Sequence, residues 1–137
     1  MMKNAKKKAF TLIELLVVIA IIGILATLAV VSLQSARARA RDSKRVADVK
    51  QMQTALELYF NDNSSYPSDI SSGIGTYMAI KPTAPTPADG TCATSAYTYI
   101  GEGSSYTISF CLGAKTGEIA EGCNVASPGG ISTTTCN

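Results

Sequence analysis

The sequence predicts an α+β fold: a long N-terminal α-helix, transmembrane in its first half, packs by its second half on a small antiparallel β-sheet with a disulfide-closed C-terminal region. Three observations carry this. Residues 10–61 contain no proline and pass from an unbroken apolar run into apolar residues spaced three and four apart. Around Tyr106 the apolar period changes to two, the mark of a half-buried strand. Cys92, Cys111, Cys123 and Cys136 all lie beyond the apolar run.

The chain divides into a polar leader at 1–9, the apolar half of the helix at 10–33, its amphipathic half at 34–61, and a small β-rich head at 62–137. Between Phe10 and Leu33 the only polar side chains are Thr11, Glu14, Thr27 and Ser32. Such a helix covers about 36 Å, enough to cross a hydrocarbon core of about 30 Å. Gly23 is its one soft point, worth about 1 kcal/mol against alanine. The whole helix, near 75 Å long, exceeds what so small a head can bury. Its first half must therefore be covered by lipid or by other helices.

Charge is distributed unevenly. Lys3, Lys6, Lys7 and Lys8 lie in the leader and place the N-terminus on the cytoplasmic side, with the rest exported. Beyond Gln51 only Lys81 and Lys115 oppose seven carboxylates. Four cysteines on the exported side predict two disulfides, with three connectivities open. Cys92–Cys111 and Cys123–Cys136 close the shorter loops, each bridge contributing about 3 kcal/mol.

The amphipathic helix stacks Val46, Val49, Met52, Leu56 and Tyr59 on one face. Asn61-Asp62-Asn63-Ser64-Ser65-Tyr66-Pro67 stops it with turn residues and a proline. A loop rich in proline and serine follows to Gly90, with a short helix or turn expected over 74–80. Tyr97–Ile100 and Tyr106–Leu112 read as a hairpin across Gly101–Ser105. Tyr106, Ile108, Phe110 and Leu112 should face the helix, which puts Cys111 on the opposite face within reach of Cys92. A third short strand is expected at Glu118–Ala120, and a loose tail from Asn124 unless Cys123–Cys136 ties it down.

Glu14 is the residue that most needs a reason, because a charge at the centre of a membrane helix costs roughly 2.5–3.5 kcal/mol. In the bland reading it sits at the interface, helped by the helix dipole and by snorkelling. Read with its neighbours, Lys6-Lys7-Lys8-Ala9-Phe10-Thr11-Leu12-Ile13-Glu14 and the apolar run after it resemble the N-terminal signature of type IV pilins and pseudopilins. The resemblance implies a pilin-like fold, cleavage by prepilin peptidase between Ala9 and Phe10, N-methylation of Phe10, and a role for Glu14 in subunit assembly. The amine freed at Phe10 of one subunit would neutralise Glu14 of a neighbour, a pairing that satisfies both charges in an apolar core. Two departures stand out: Ala9 replaces the usual Gly, and Val31 occupies a position where some members carry a helix-breaking proline.

Arg41-Asp42-Ser43-Lys44-Arg45, Asp48, Ala55-Leu56-Glu57-Leu58-Tyr59 and Tyr66-Pro67 resemble the helix-to-loop region of major pseudopilins and related pilins. The Asp-Pro-Trp-Gly-type segment and acidic calcium loop of major pseudopilins are not matched, which disfavours calcium at Glu118 or Glu121. The cysteine-closed tail is closer to pilins.

The six cations between Arg37 and Lys50 read as a polar collar, with Arg37, Arg41 and Arg45 along one face and Asp48 partnering Arg45. Nucleic-acid contact through a filament is the alternative. Asn63-Ser64-Ser65 matches a glycosylation sequon, but a helix-ending turn explains it. The tyrosines read as core. With no histidine, nucleophile elbow or phosphate loop, neither an enzyme nor a cofactor is expected.

The expected function is therefore a structural subunit of a type IV pilus-like filament. Its partners are copies of itself, related pilins, the prepilin peptidase/methyltransferase, the inner-membrane assembly machinery, and lipid before assembly. One alternative is the major pseudopilin of a type II secretion system. Another is a secreted binding domain cut from an ordinary signal peptide near Ala36-Arg37-Ala38 or Ala38-Arg39-Ala40; the arginines and the long apolar run fit that poorly.

Overall fold

The structure, a computed structural model, describes residues 9–134, so the leader lysines and Cys136 lie outside the described residues. Helix α1 spans Leu12–Asn63 and helix α2 spans Ile70–Gly73. Strands β1 (Thr98–Glu102), β2 (Ser105–Leu112), β3 (Gly122–Ser127) and β4 (Gly130–Thr133) follow. They form one antiparallel sheet in the order β1-β2-β3-β4. The chain separates into two compact units, one ending at Ala36 and one beginning at Arg37.

In the first unit every described residue is exposed, including the entire apolar run. The Thr27 hydroxyl donates to the Ile24 carbonyl at 2.7 Å, so that polar group is satisfied within the helix.

The second unit has a core of its own. Val49, Met52, Ala55 and Leu56 from α1 are buried with Tyr106, Ile108, Phe110 and Leu112 from β2 and with Tyr66, Ile70, Ile74 and Ala126. The predicted alternation on β2 is borne out, and Cys111 on the other face is bonded to Cys92 with Cα atoms 5.8 Å apart. Gly103, at φ +53°, makes the tight turn between β1 and β2. Ring contacts knit the far end of the core: Phe60–Tyr66 at 4.6 Å, Tyr66–Tyr106 at 4.7 Å and Tyr99–Tyr106 at 6.3 Å between centroids. Burial and a hydrogen bond to Glu57 push the Tyr66 hydroxyl up to about 12.

Of the helix or turn expected over 74–80 the structure has the turn, closed on the Ile74 carbonyl, and a short helix precedes it at 70–73, where Asp69 caps it by accepting from the Ser71 amide at 3.1 Å. Two expectations are corrected. Glu118–Ala120 is not a strand but a tight turn with one bridge between Thr116 and Ile119. The strands come later, as β3 and β4, and include much of the supposed tail. The inward residues of β3 are Asn124 and Ala126, one polar and one small, so no apolar alternation announces it. Asn124 is buried and satisfied: its amide donates to the Ala120 and Gly122 carbonyls, and its oxygen accepts from the Thr133 hydroxyl.

The second correction concerns the collar. Arg45 is not on an outer face; it is 1% exposed. It pairs with Asp42 at 2.6 Å and Asp89 at 3.0 Å and donates to the Pro85 and Pro87 carbonyls at 2.9 and 2.8 Å. Arg41 forms a two-pronged bond to Asp89. Asp42 accepts from the Gly113 and Ala114 amides, each at 3.0 Å. Asp48 is paired with Lys44, one turn before it, and with the Tyr97 hydroxyl, not with Arg45. The stretch is therefore not an open basic face: Arg41, Lys44 and Arg45 are neutralised within the head.

Arg41, and then Arg45, hold the Asp89 carboxyl below its usual value. A depressed carboxyl contributes stability that is complete above the ordinary aspartate range, near pH 4, and is lost as pH falls through the lowered value. Asp89→Asn leaves Arg45 short of charge and should cost about 3 kcal/mol at pH 7. It should also flatten the acid limb of thermal unfolding measured on the full chain in detergent. Lys44→Ala, at a half-exposed pair, should cost less than about 1 kcal/mol.

Candidate functional site

The N-terminus of α1 is built by its own first residues. Thr11 stands just before the helix and Glu14 in its first turn. Glu14 Oε2 accepts from the Thr11 backbone N–H at 2.9 Å and from the Thr11 hydroxyl at 2.7 Å, and the Glu14 amide donates to Thr11 Oγ1 at 3.3 Å. This is a reciprocal capping box, which satisfies backbone donors that a helix start leaves open. The Thr-x-x-Glu spacing is its sequence signature, and the charge of Glu14 alone does not reveal it.

Around the carboxylate, Phe10, Ile13, Val17 and Val18 line a shallow apolar recess. Phe10 is 78% exposed, and the Ala9–Phe10 bond lies in exposed, non-helical chain just before the helix. The carboxylate receives two hydrogen bonds but no countercharge among the described residues. Such an arrangement fixes the direction of the acid and leaves its charge available to an incoming cation.

The remaining candidate residues sort as follows. Cys92 and Cys111 are bonded to each other; Cys123 is not free, and the partner predicted for it, Cys136, lies outside the described residues. Glu118 and Glu121 are exposed and join no cluster of metal-ligating side chains among the described residues. Asn63 of the sequon closes the last turn of α1, its amide donating to the Tyr59 carbonyl at 2.9 Å.

Comparison with known proteins bears out the likeness to type IV pilins and pseudopilins. Residues 4–30 match the family model of the prokaryotic N-terminal methylation motif. The chain is 35% identical over 87 residues to type II secretion system core protein G of Vibrio cholerae, covering 64% of this chain and 58% of that one. It is 38% identical over 80 residues to the core protein G of Dickeya chrysanthemi, covering 58% and 51%. It is 41% identical over 68 residues to the type IV wide pilus major component PilA4 of Thermus thermophilus, covering 50% of each. The chain thus spans about half the length of the curated relatives it matches. No solved structure matches it.

Removing the cap isolates its contribution. Thr11→Ala should lose about 1 kcal/mol of helix-start stability, an increase of about fivefold in amide exchange over residues 12–15 in micelles. Exchange from Val17 onward should not change.

Proposed function

We propose that this chain is a structural subunit of a type IV pilus-like filament, cut between Ala9 and Phe10, N-methylated on Phe10, and polymerised through α1. The observation that carries the reading is an apolar helix segment exposed on every side, with a single capped carboxylate at its head beside an accessible peptide bond. A helix that is apolar all round belongs in lipid or among other helices, and α1 is long and apolar enough to cross a membrane. Before assembly lipid would cover it, with the basic leader held on the cytoplasmic side. Cleavage then creates an amine at Phe10, and the amine of one subunit supplies the countercharge that Glu14 of the next lacks. Ala9 is small enough to stand at the cut where Gly is usual.

A second reading, the major pseudopilin of a type II secretion system, is favoured by the relatives named core protein G. The pilin reading draws on the pilus relative. Deletion of the subunit separates them. Loss of surface fibres with secretion intact supports the pilus; loss of secretion from cells that never carried surface fibres supports the pseudopilus.

Two further outcomes test the shared core of both readings. N-terminal sequencing of the mature protein should begin at methylated Phe10, and a start near Arg39 would instead indicate an ordinary signal peptide. Glu14→Ala should leave membrane insertion intact while sharply reducing polymer; normal fibres from that variant would overturn the amine–carboxylate pairing.

A further inference from the structure

Strands β2 and β3 set two cysteines side by side. Their register pairs Cys111 directly with Cys123. Phe110 and Leu112 point into the core from β2, and Asn124 and Ala126 do so from β3. Both cysteines therefore stand on the outer face of the sheet, where both are half-buried. Directly opposed residues of antiparallel strands have Cα atoms about 4.5 or 5.5 Å apart and side chains on the same face. A disulfide spans Cα separations of about 4.4–6.8 Å. The two are thus placed to bond with each other, yet each is committed elsewhere. Cys111 is bonded to Cys92, and Cys123 sits in a disulfide whose predicted partner is Cys136.

The fold also keeps in place the segments that these bonds tether. Cys92 belongs to the loop that Arg41 and Arg45 hold through Asp89, and the Cys92 amide donates to the Asp89 carbonyl at 3.2 Å. At the other end the Thr134 amide donates to the Cys123 carbonyl at 3.0 Å, which holds the chain beside Cys123 two residues before Cys136. None of these contacts is made by a sulfur. Opening either bridge leaves the strand register and both anchors standing.

We propose that Cys111 and Cys123 form a thiol–disulfide exchange site, through which the head passes from its resting bridges to an isomer bonded Cys111–Cys123. The co-reactant is an external dithiol. It reduces the Cys92–Cys111 bond and is itself oxidised to a disulfide, leaving a Cys92 thiol and a Cys111 thiolate. The Cys111 thiolate attacks Cys123 Sγ; the Cys111–Cys123 bond forms, the bond holding Cys123 breaks, and Cys136 leaves as a thiolate that takes up a proton. This second step consumes no electrons. Reduction of the Cys123 bridge instead leads to the same isomer, because the Cys123 thiolate then attacks Cys111 and releases Cys92. One reduction therefore frees both Cys92 and Cys136 while β2 and β3 stay joined, so the proline-rich loop and the C-terminus respond together. The exchange does not depend on the filament reading.

Partial reduction tests this on the parent chain in detergent. A limiting amount of dithiothreitol is added without denaturant, the reaction is stopped with acid, thiols are labelled with N-ethylmaleimide, and the bonds are mapped by mass spectrometry of peptides. The main partly reduced species should carry a Cys111–Cys123 link with label on Cys92 and Cys136. Label on Cys92 and Cys111, label on Cys123 and Cys136, or label on all four beside intact parent would overturn the proposal. In guanidinium, where the register is lost, the same treatment should scatter label over several pairings. A single Cys111–Cys123 isomer there would show that chain proximity rather than the sheet selects it, and would equally count against the exchange site. The exported Cys92→Ser/Cys136→Ser variant should oxidise to the Cys111–Cys123 form; two labelled thiols in the folded variant would contradict the placement.

Discussion

The head depends on a charge that has no access to water. Burying a guanidinium costs several kcal/mol unless its charge and its donors are met, and Arg45 is almost fully buried. The chain meets that demand from two directions. Asp42 supplies one carboxylate from the preceding turn of the same helix, while Asp89 and the Pro85 and Pro87 carbonyls arrive from a loop 40 or more residues away. Asp42 in turn holds the amides that follow β2. One ion cluster thus ties α1 to the proline-rich loop and to the end of the central strand. Arg45 Nε alone among its nitrogens is left without a partner among the described residues.

The neighbouring disulfide belongs to the same construction. Cys92 follows Asp89 by three residues and Cys111 precedes Gly113 by two, so the bridge draws together the segments that the ion cluster holds. Between them the backbones nearly touch: a Cβ at Gly113 would lie 2.4 Å from the Asp89 Cβ, which leaves room for no side chain. Small domains bury too little apolar surface to be generous with stability. Bridge, glycine contact and ion cluster together hold a loop that has little apolar surface of its own. The aromatic cluster does the equivalent work at the other end, where Tyr66 joins the end of α1 to β2.

What the sequence made legible follows from how periodicity works. The helix face through Val49, Met52 and Leu56 and the alternation of Tyr106, Ile108, Phe110 and Leu112 are apolar signals repeated at the spacing of their element, and the core is where they placed it. The outward position of Cys111, and hence its bond to Cys92, follows from the same alternation. Elements whose inward residues are polar or small give no such signal. Asn124 and Ala126 face inward from β3, the first satisfied there by local hydrogen bonds and the second simply small. Arginine read as surface because arginine usually is surface; the partners that bring Arg45 inside come from a distant loop, and no local pattern encodes them. The capping box at Thr11 and Glu14 was written in the spacing, but a carboxylate in an apolar run draws attention to its charge before its geometry.

Arg45 and Glu14 pose the same electrostatic problem and reach different ends. Around Arg45 the chain provides both hydrogen-bond acceptors and opposite charge, and the problem closes within one molecule. Around Glu14 it provides hydrogen bonds from Thr11 but, among the described residues, no cation. Hydrogen bonds orient a carboxylate and soften its desolvation; they do not cancel a net charge, and in an apolar surrounding the uncancelled part dominates. A helix covered by lipid can leave such a group near the interface, but a bundle of apolar helices cannot. Transfer from the first environment to the second therefore becomes favourable only when a cation arrives with the partner. Under the proposed reading that cation is the Phe10 amine of a partner, formed when the Ala9–Phe10 bond is cut. Cleavage would then control assembly through electrostatics, without requiring any change in the fold of the head.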